Sequence, residues 1–424
     1  MLEQAGQFLK GLFQSDKRNI ERICENVAKS DYDRIQHFIS NSPWDAQAVK
    51  NKVASDTNKC FENAPKVGLL LDESGHSKKG DKSVGVGWQY NGNTGKVENC
   101  QVGVYGVLSA GENYCLVDGQ LYLPKDWTDD RERCLEAGIP EENIVFKTKS
   151  QIALDIVKSL RSQGICFDWI DADGLYGNDS KFANELDDLD ELFLLEVHSD
   201  QLVYLEEPEI YVPIPEGKRG RKPTKLKSRQ QSIEVRHYAA STSKHYWKAL
   251  KIRNTTQGVL ECEALVRRVW VWDKESDKAR ARLLIIKKTY TKQGCEIKYA
   301  LTNAKENEYT WAELVQMQSQ RYFIERAFKE SKQELGMSDY QVRGWLAWQH
   351  HTALVMMALQ FILREKLLNK ETMPLLSTRD VKEILIMKLA KKKKTMKDVL
   401  KQIFCRHRKR SASKVKSRKI NLQI

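Results

Sequence analysis

Apolar and polar positions divide the chain into helical ends and a strand-rich middle. Over residues 1 to about 65, apolar residues recur at helical spacing behind polar residues able to cap a helix. Ser15-Asp16 precedes Ile20, Ile23 and Val27; Ser30-Asp31 precedes Ile35, Phe38 and Ile39; Ser42-Pro43-Trp44-Asp45 precedes Ala48, Val49 and Val53. From Val67 the pattern changes to short extended runs: Val67 to Asp72, Val84 to Trp88, Gln101 to Leu108 and Tyr114 to Leu123, with Asn91-Gly92 as a hairpin turn signal. A helix fits Gln151 to Gln163, followed by strands over Ile165 to Asp173 and Phe193 to Val197. Strands interleaved with helices in this way predict a mixed α/β sheet.

Beyond residue 200 the texture shifts. Pro208, Pro213, Pro215 and Pro223 cluster around a basic stretch, and strand-like runs follow at Val266 to Trp272, Arg282 to Lys288 and Ile297 to Thr302. From Thr310 to about residue 406 the pattern is helical again. Thr310 with Glu313 forms a capping box, and Gly336 can end that helix. The basic, serine-containing tail from Arg406 to Lys419 reads as lacking fixed structure. The expected organisation is a helical domain at 1–65 that serves either to bind a polyanionic partner or only to pack, the first part of an α/β core at 66–199, a β-rich insertion at 200–305, a helical return to the core at 306–405, and a basic tail at 406–424.

Composition narrows the classes. With 41% hydrophobic residues among 424, a large buried core is within reach. No run of about 20 apolar residues is present, so no spanning helix or membrane role is expected. The start, Met1-Leu-Glu-Gln, shows no basic segment followed by an apolar one. Nine cysteines without a CxxC pair point to reduced thiols and a cytoplasmic setting. The net charge of +13 suits either a polyanionic partner or a solvated basic surface.

Three places offer chemistry. Asp72 closes an apolar strand, where α/β sheets present functional groups, although many such residues only begin a turn. Asp171 and Asp173 lie two apart and share a face, a mild sign of a cation site or of a turn cap. At about 100° per residue, Glu325 falls about 40° and Lys332 about 20° from Arg321, so the three form one polar stripe. For an arbitrary helix, a surface Arg–Glu pair is the better explanation of such a stripe. His76 reads as a loop residue meeting a polyanionic partner or solvent, and His350-His351 as structural.

Together these segments resemble insertion-sequence transposases of the 701 group, within the superfamily whose signature is Y-x2-R-x3-E-x6-K. Arg321, Glu325 and Lys332 match R, E and K; Gln318 stands at the tyrosine position, and Tyr322 lies one turn later. Leu69-Leu-Leu-Asp72-Glu-Ser-Gly75 resembles the first-carboxylate strand and Ala172-Asp173-Gly-Leu-Tyr-Gly177 the second, with Ser42-Pro-Trp-Asp45 and Glu334-Leu-Gly-Met337 as further group features. The resemblance covers about residues 8 to 365. It implies an RNase H-like catalytic core carrying a β insertion between the second and third acids. It also implies Asp72, Asp173 and Glu325 as catalytic residues and metal ligands, for two Mg²⁺ ions that Mn²⁺ can replace. Arg321, Lys329 and Lys332 are then phosphate contacts.

The expected activity is cleavage and joining of double-stranded DNA, the element's terminal inverted repeats and target DNA, by a homodimer in a bacterial cytoplasm at the nucleoid. The alternatives are a catalytically silent DNA-binding descendant and an RNase H-like nuclease that does not join strands. Lys218 to Arg229 holds seven basic residues and no acid; Lys218, Arg219, Arg221, Lys222 and Lys225 are its expected DNA contacts. Arg219-Gly-Arg221-Lys-Pro223 resembles an AT-hook, and a flexible loop touching phosphates is the other reading.

Overall fold

A computed structural model describes residues 1–213, 224–255, 258–291 and 294–421. The chain opens with helices α1 (Leu2–Gln14), α2 (Ile20–Asn26), α3 (Tyr32–Ser40) and α4 (Ala46–Cys60). Asn19, Asp31 and Asp45 cap the last three by accepting backbone N–H bonds. Helix α1 precedes the first helix expected from the sequence.

Strands β1 (Gly68–Ser77), β2 (Gly87–Asn91), β3 (Lys96–Ala110) and β4 (Asn113–Leu121) follow, then short helices α5 (Lys125–Thr128) and α6 (Arg131–Glu136). Next come α7 (Lys149–Ser162), β5 (Trp169–Ala172), α8 (Gly174–Gly177), α9 (Ser180–Asp188) and β6 (Phe193–Val197). In space the strands run β4-β3-β1-β5-β6; β3 is antiparallel to both β1 and β4, and β5 and β6 are parallel to β1. This is the RNase H-like arrangement. Its heart is Leu69, Leu70 and Leu71 with Ile170 and Ala172, all at 0% exposure, because β1 and β5 are covered on both faces.

The insertion extends this sheet. After the two-residue strands β7 (Leu202–Val203), β8 (Ile210–Tyr211), β9 (Lys227–Ser228) and β10 (Ile233–Glu234) and helix α10 (Val235–Ser241), a four-stranded meander follows. Its strands are β11 (Lys248–Thr255), β12 (Gly258–Val271), β13 (Arg280–Thr291) and β14 (Gly294–Thr302), and β14 pairs antiparallel with β6. One ten-stranded sheet results. Val235 and Ala239 of α10 join the apolar layer on one meander face, and Leu314, Val315 and Met317 join that on the other.

Those last residues belong to α11 (Trp311–Ser319), which α12 (Tyr322–Leu335), α13 (Trp345–Leu368), α14 (Thr378–Lys388) and α15 (Met396–Asn421) follow. The capping box of Thr310 and Glu313 opens α11, and Gly336 ends α12 in the left-handed region. The single helix expected between them breaks at Gln320-Arg321. Both residues keep right-handed helical dihedrals, but the turn tightens: Phe323 N–H bonds Gln320 O and Ile324 N–H bonds Arg321 O. The tail expected to lack structure continues α15 as far as Asn421. Helix α13 is the hub, packing against α1, α3, α4, β4, α12 and α14. Among the described residues no helix is long and apolar enough to cross a membrane.

Candidate active site

Strand register builds the site. The last row shared by β1, β5 and β6 is Leu71, Ala172 and Leu195. Asp72, Asp173 and Glu196 are the next residues on three neighbouring strands, so they meet where the parallel pairing stops. The sequence expectation ended β1 at Asp72; instead β1 runs on to Ser77, held by β3 alone. That extension corrects the reading of His76 as a loop residue. It lies within β1, is buried, and its Nδ1 stands 3.3 Å from Tyr340 Oη.

Asp173 caps α8 by accepting the Leu175 N–H at 2.9 Å. The backbone there passes close to β6: a Cβ on Gly177 would stand 1.8 Å from Glu196 O, so only glycine fits. Asp171, one pleat deeper, is fully buried, and neither carboxyl oxygen has a hydrogen-bond partner. Burial, with Glu196 adding, holds its pKa well above the usual carboxylate range.

Arg321 spans the row from the corner between α11 and α12. Its Nη2 lies 3.3 Å from Asp72 Oδ2 and 3.8 Å from Asp173 Oδ2. Its Nε lies 3.3 Å from Glu196 Oε2, an ion-pair distance without hydrogen-bond alignment. The Arg321 side chain is only 11% exposed. Burial works against its charge, but the carboxylates of Asp72, Glu196, Asp173 and Asp171 outweigh it and raise its pKa. The corner is fixed on both sides: Ser319 Oγ accepts from Lys287 Nζ at 3.1 Å, and Ser109 Oγ donates to Gln320 Oε1 at 3.0 Å.

Burial pushes the Asp72 carboxyl up to about 7; Arg321 opposes the rise, while Asp173 and Glu73 add to it. Asp173 is raised in the same way, by burial first and Glu73 after, against Arg321. Glu73, next in β1, is occupied on its own account by Lys149 at 2.7 Å and by the Tyr176 hydroxyl at 3.1 Å.

The expected site residues therefore separate. Asp72, Asp173 and Arg321 come together. Lys332 lies within electrostatic reach of Asp72, which resists the burial that lowers the ammonium to about 8. Glu325 and Lys329 are exposed on α12, with no side-chain hydrogen bond or ion pair among the described residues. Ile324, Phe328, Ser331 and Leu335 face the core. Arg321 and Lys332 reach inward from the edge of that face, while the shorter Glu325 turns to solvent. Among the described residues no group of three or more His, Cys, Asp or Glu side chains is poised around one metal position. Gln318, at the tyrosine position, is buried with its amide unpartnered; Tyr322 is 42% exposed under the Arg253 guanidinium, 4.2 Å from its ring centre. Lys225 is exposed, and Lys218, Arg219, Arg221 and Lys222 lie outside the described residues.

Glu196 escapes sequence reasoning. Its one signal is an acid inside the apolar run Phe193-Leu-Leu-Glu196-Val197.

Paired strand-end aspartates on an RNase H-like sheet define the class of carboxylate-based nucleic-acid-processing folds. Within that class, the chain belongs to the DDE superfamily endonuclease family, whose profile matches residues 5–259. A probable transposase for insertion sequence element IS701, from Microchaete diplosiphon, is 32% identical over 190 residues. That alignment takes in 44% of this chain and 46% of the relative, so it spans about half the relative's length. Among solved structures, a piggyBac transposase synaptic complex with hairpin DNA aligns at a TM-score of 0.40 and 11% identity, covering 91% of this chain and 71% of that one. The NurA nuclease of Sulfolobus solfataricus aligns at a TM-score of 0.26 and 9% identity, covering 78% of this chain and 92% of that one.

Proposed function

We propose that this chain is the transposase of an insertion sequence, cutting DNA at the element's ends and joining the freed 3′-hydroxyls to target DNA. The observation that carries the reading is the Arg321 guanidinium bridging Asp72 and Asp173, two partly buried acids where the parallel pairing of neighbouring strands ends. A site that packs acids this closely needs positive charge, and burial has already raised both carboxyls. Hard carboxylate oxygens suit Mg²⁺, or Mn²⁺ in its place. Asp72 and Asp173 fit as ligands, and Glu325 would join them from the first turn of α12. Two bound ions would stabilise the attacking and leaving oxygens of an in-line displacement at phosphorus.

The chain's own residues do the rest. Arg321 offers a planar fork to a phosphate that enters the row, and Lys332 supplies a point charge beside it. Glu196 keeps one side of the guanidinium directed at the sheet. The helical 1–65 segment and the basic stretch at 218–225 would grip duplex DNA at the terminal repeats, and a homodimer would hold two ends together. The alternatives, a silent DNA-binding descendant and a nuclease that does not join strands, make different products.

The test is incubation of a supercoiled plasmid bearing the element's ends with Mg²⁺. Wild type should nick and join strands, while Asp72→Ala, Asp173→Ala and Glu325→Ala should each fall by about 10³-fold or more. Equal products from wild type and Asp72→Ala would end the reading. Nicking without joined products would leave a nuclease. Full activity of Glu325→Ala would remove that residue from the set.

A further inference from the structure

The hairpin of β2 and β3 carries an exposed aromatic pair at the edge of the sheet. Trp88 is 79% exposed, Tyr90 56% and Val97 60%. Trp88 pairs across the hairpin with Asn99, and Tyr90 with Val97, so the two rings stand side by side on one face. Strand β2 is the last in the sheet order, and neither ring stacks on another ring of the described residues.

Positive charge frames the pair. Asn99 Nδ2 donates to Lys78 O at 3.1 Å and to Gly80 O at 2.8 Å, pinning the Lys78–Lys82 loop beside Trp88. Lys79 and Lys82 on that loop are exposed, as is Lys96 at the Tyr90 end. Two acids are near. Asp81 is exposed, while Glu98 is engaged by Ser77, Asn91, Thr94 and Lys96. An apolar protein partner would not call for lysines at both ends of two rings. A nucleic-acid strand does, with bases for the rings and phosphates for the ammonium groups.

The hairpin lies on the same side of the sheet as the carboxylates, and α12 and Tyr340 cover the stretch between: Tyr105, Gln101 and His76 are buried against Phe328 and Tyr340. Residues 97, 99, 101, 103 and 105 alternate onto one side of β3, and Tyr105 and Gln101 pair with Asp72 and His76. From Tyr105 to the Asn99–Val97 stretch is six to eight residues, or about 20–26 Å of strand. A strand of DNA passing over that cover needs at least about six to eight nucleotides.

We propose that Trp88 and Tyr90 stack on unpaired bases of the DNA strand that leads away from the carboxylate row, with Lys79, Lys82 and Lys96 on its phosphates. This rests on the reading of the chain as a DNA-processing enzyme.

Binding by the full chain of a labelled oligo-dT of about 20 nucleotides, and of a duplex of the same length, tests it across a salt series. The W88A/Y90A variant should lose about ten-fold or more in affinity for the single strand and about two-fold or less for the duplex; W88F/Y90F should recover most of the loss. The K79A/K82A/K96A variant should weaken both and flatten the salt dependence. Both rings are exposed, so circular dichroism and melting should match wild type. Unchanged single-strand affinity in W88A/Y90A overturns the stacking proposal and leaves the proposed function standing. Failure of wild type to bind either DNA overturns both. Unchanged DNA binding with self-association lost in sedimentation assigns the face to a second copy of the chain.

Discussion

Ionising Asp72 costs the folded protein stability, and the cost depends on pH. The unfolded chain releases this proton near 3.8 and the folded protein near 7. Below 3.8 both states hold it, and the group is neutral in its effect. Between those values the folded state holds a proton that the unfolded state lacks, so stability falls as pH rises, and above 7 the penalty is complete. Asp72→Asn stays neutral and can still accept the Glu73 N–H that Asp72 Oδ1 accepts at 2.7 Å. The variant should be more stable than wild type at pH 8 by about 1–3 kcal/mol, with the difference shrinking toward zero near pH 4, as read from urea midpoints. A less stable Asn variant at pH 8 would show that Arg321 more than repays the burial of the carboxylate. Asp72 and Asp173 are legible in the sequence because each ends a short apolar string with glycines close behind. Glu196 is not: it sits at no telling spacing from either, and only the pairing of β6 with β5 brings it to Arg321.

Local chemistry decides which parts of the helices can be read from sequence. The caps Asp31, Asp45 and Thr310 and the terminator Gly336 act within one turn, and all four stand where the sequence places them. The corner that aims Arg321 has no such marker, since neither glycine nor proline occurs there and both residues keep helical dihedrals. Strand β11 is hidden for another reason: Lys248-Ala-Leu-Lys-Ile-Arg253 mixes charge into its alternation, although its partner β12 follows directly in the chain. Gly336 does two things at once. Its φ of 68° suits glycine, and a Cβ there would stand 2.5 Å from Arg18 Cβ. Gly336→Ala should therefore cost about 2 kcal/mol or more in guanidinium unfolding. Gly336→Asn tolerates the dihedral better but meets the same Arg18 carbon. An Asn variant as stable as wild type would mean that the close approach to Arg18 is unimportant.

Across the whole molecule, buried polar ties join the N-terminal helices to β4, α12 and α13, and these ties set how far the first 60 residues can act on their own. His350 of α13 places Nδ1 2.8 Å from Ile39 O and Nε2 2.9 Å from Trp44 O, with the Trp44 ring stacked on it at 3.7 Å. Arg18 bonds the carbonyls of Leu12, Asp16 and Glu334. Lys50 of α4 reaches Asp118 of β4 at 3.3 Å, with both side chains 2% exposed, and also bonds Gly119 O and Gln349 Oε1. Removing one member of such a pair strands the other charge in the interior, at a cost of about 3–5 kcal/mol, whereas replacing both with apolar groups of similar volume is often close to neutral. Lys50→Met and Asp118→Leu should each lower the unfolding midpoint sharply, and the double variant should be more stable than either single one. Losses that simply add would show that the two charges are not coupled. If the coupling appears, α4 and β4 unfold together, and the N-terminal helices form part of the catalytic body. Any ligand held by those helices would then be positioned rigidly against the carboxylate row.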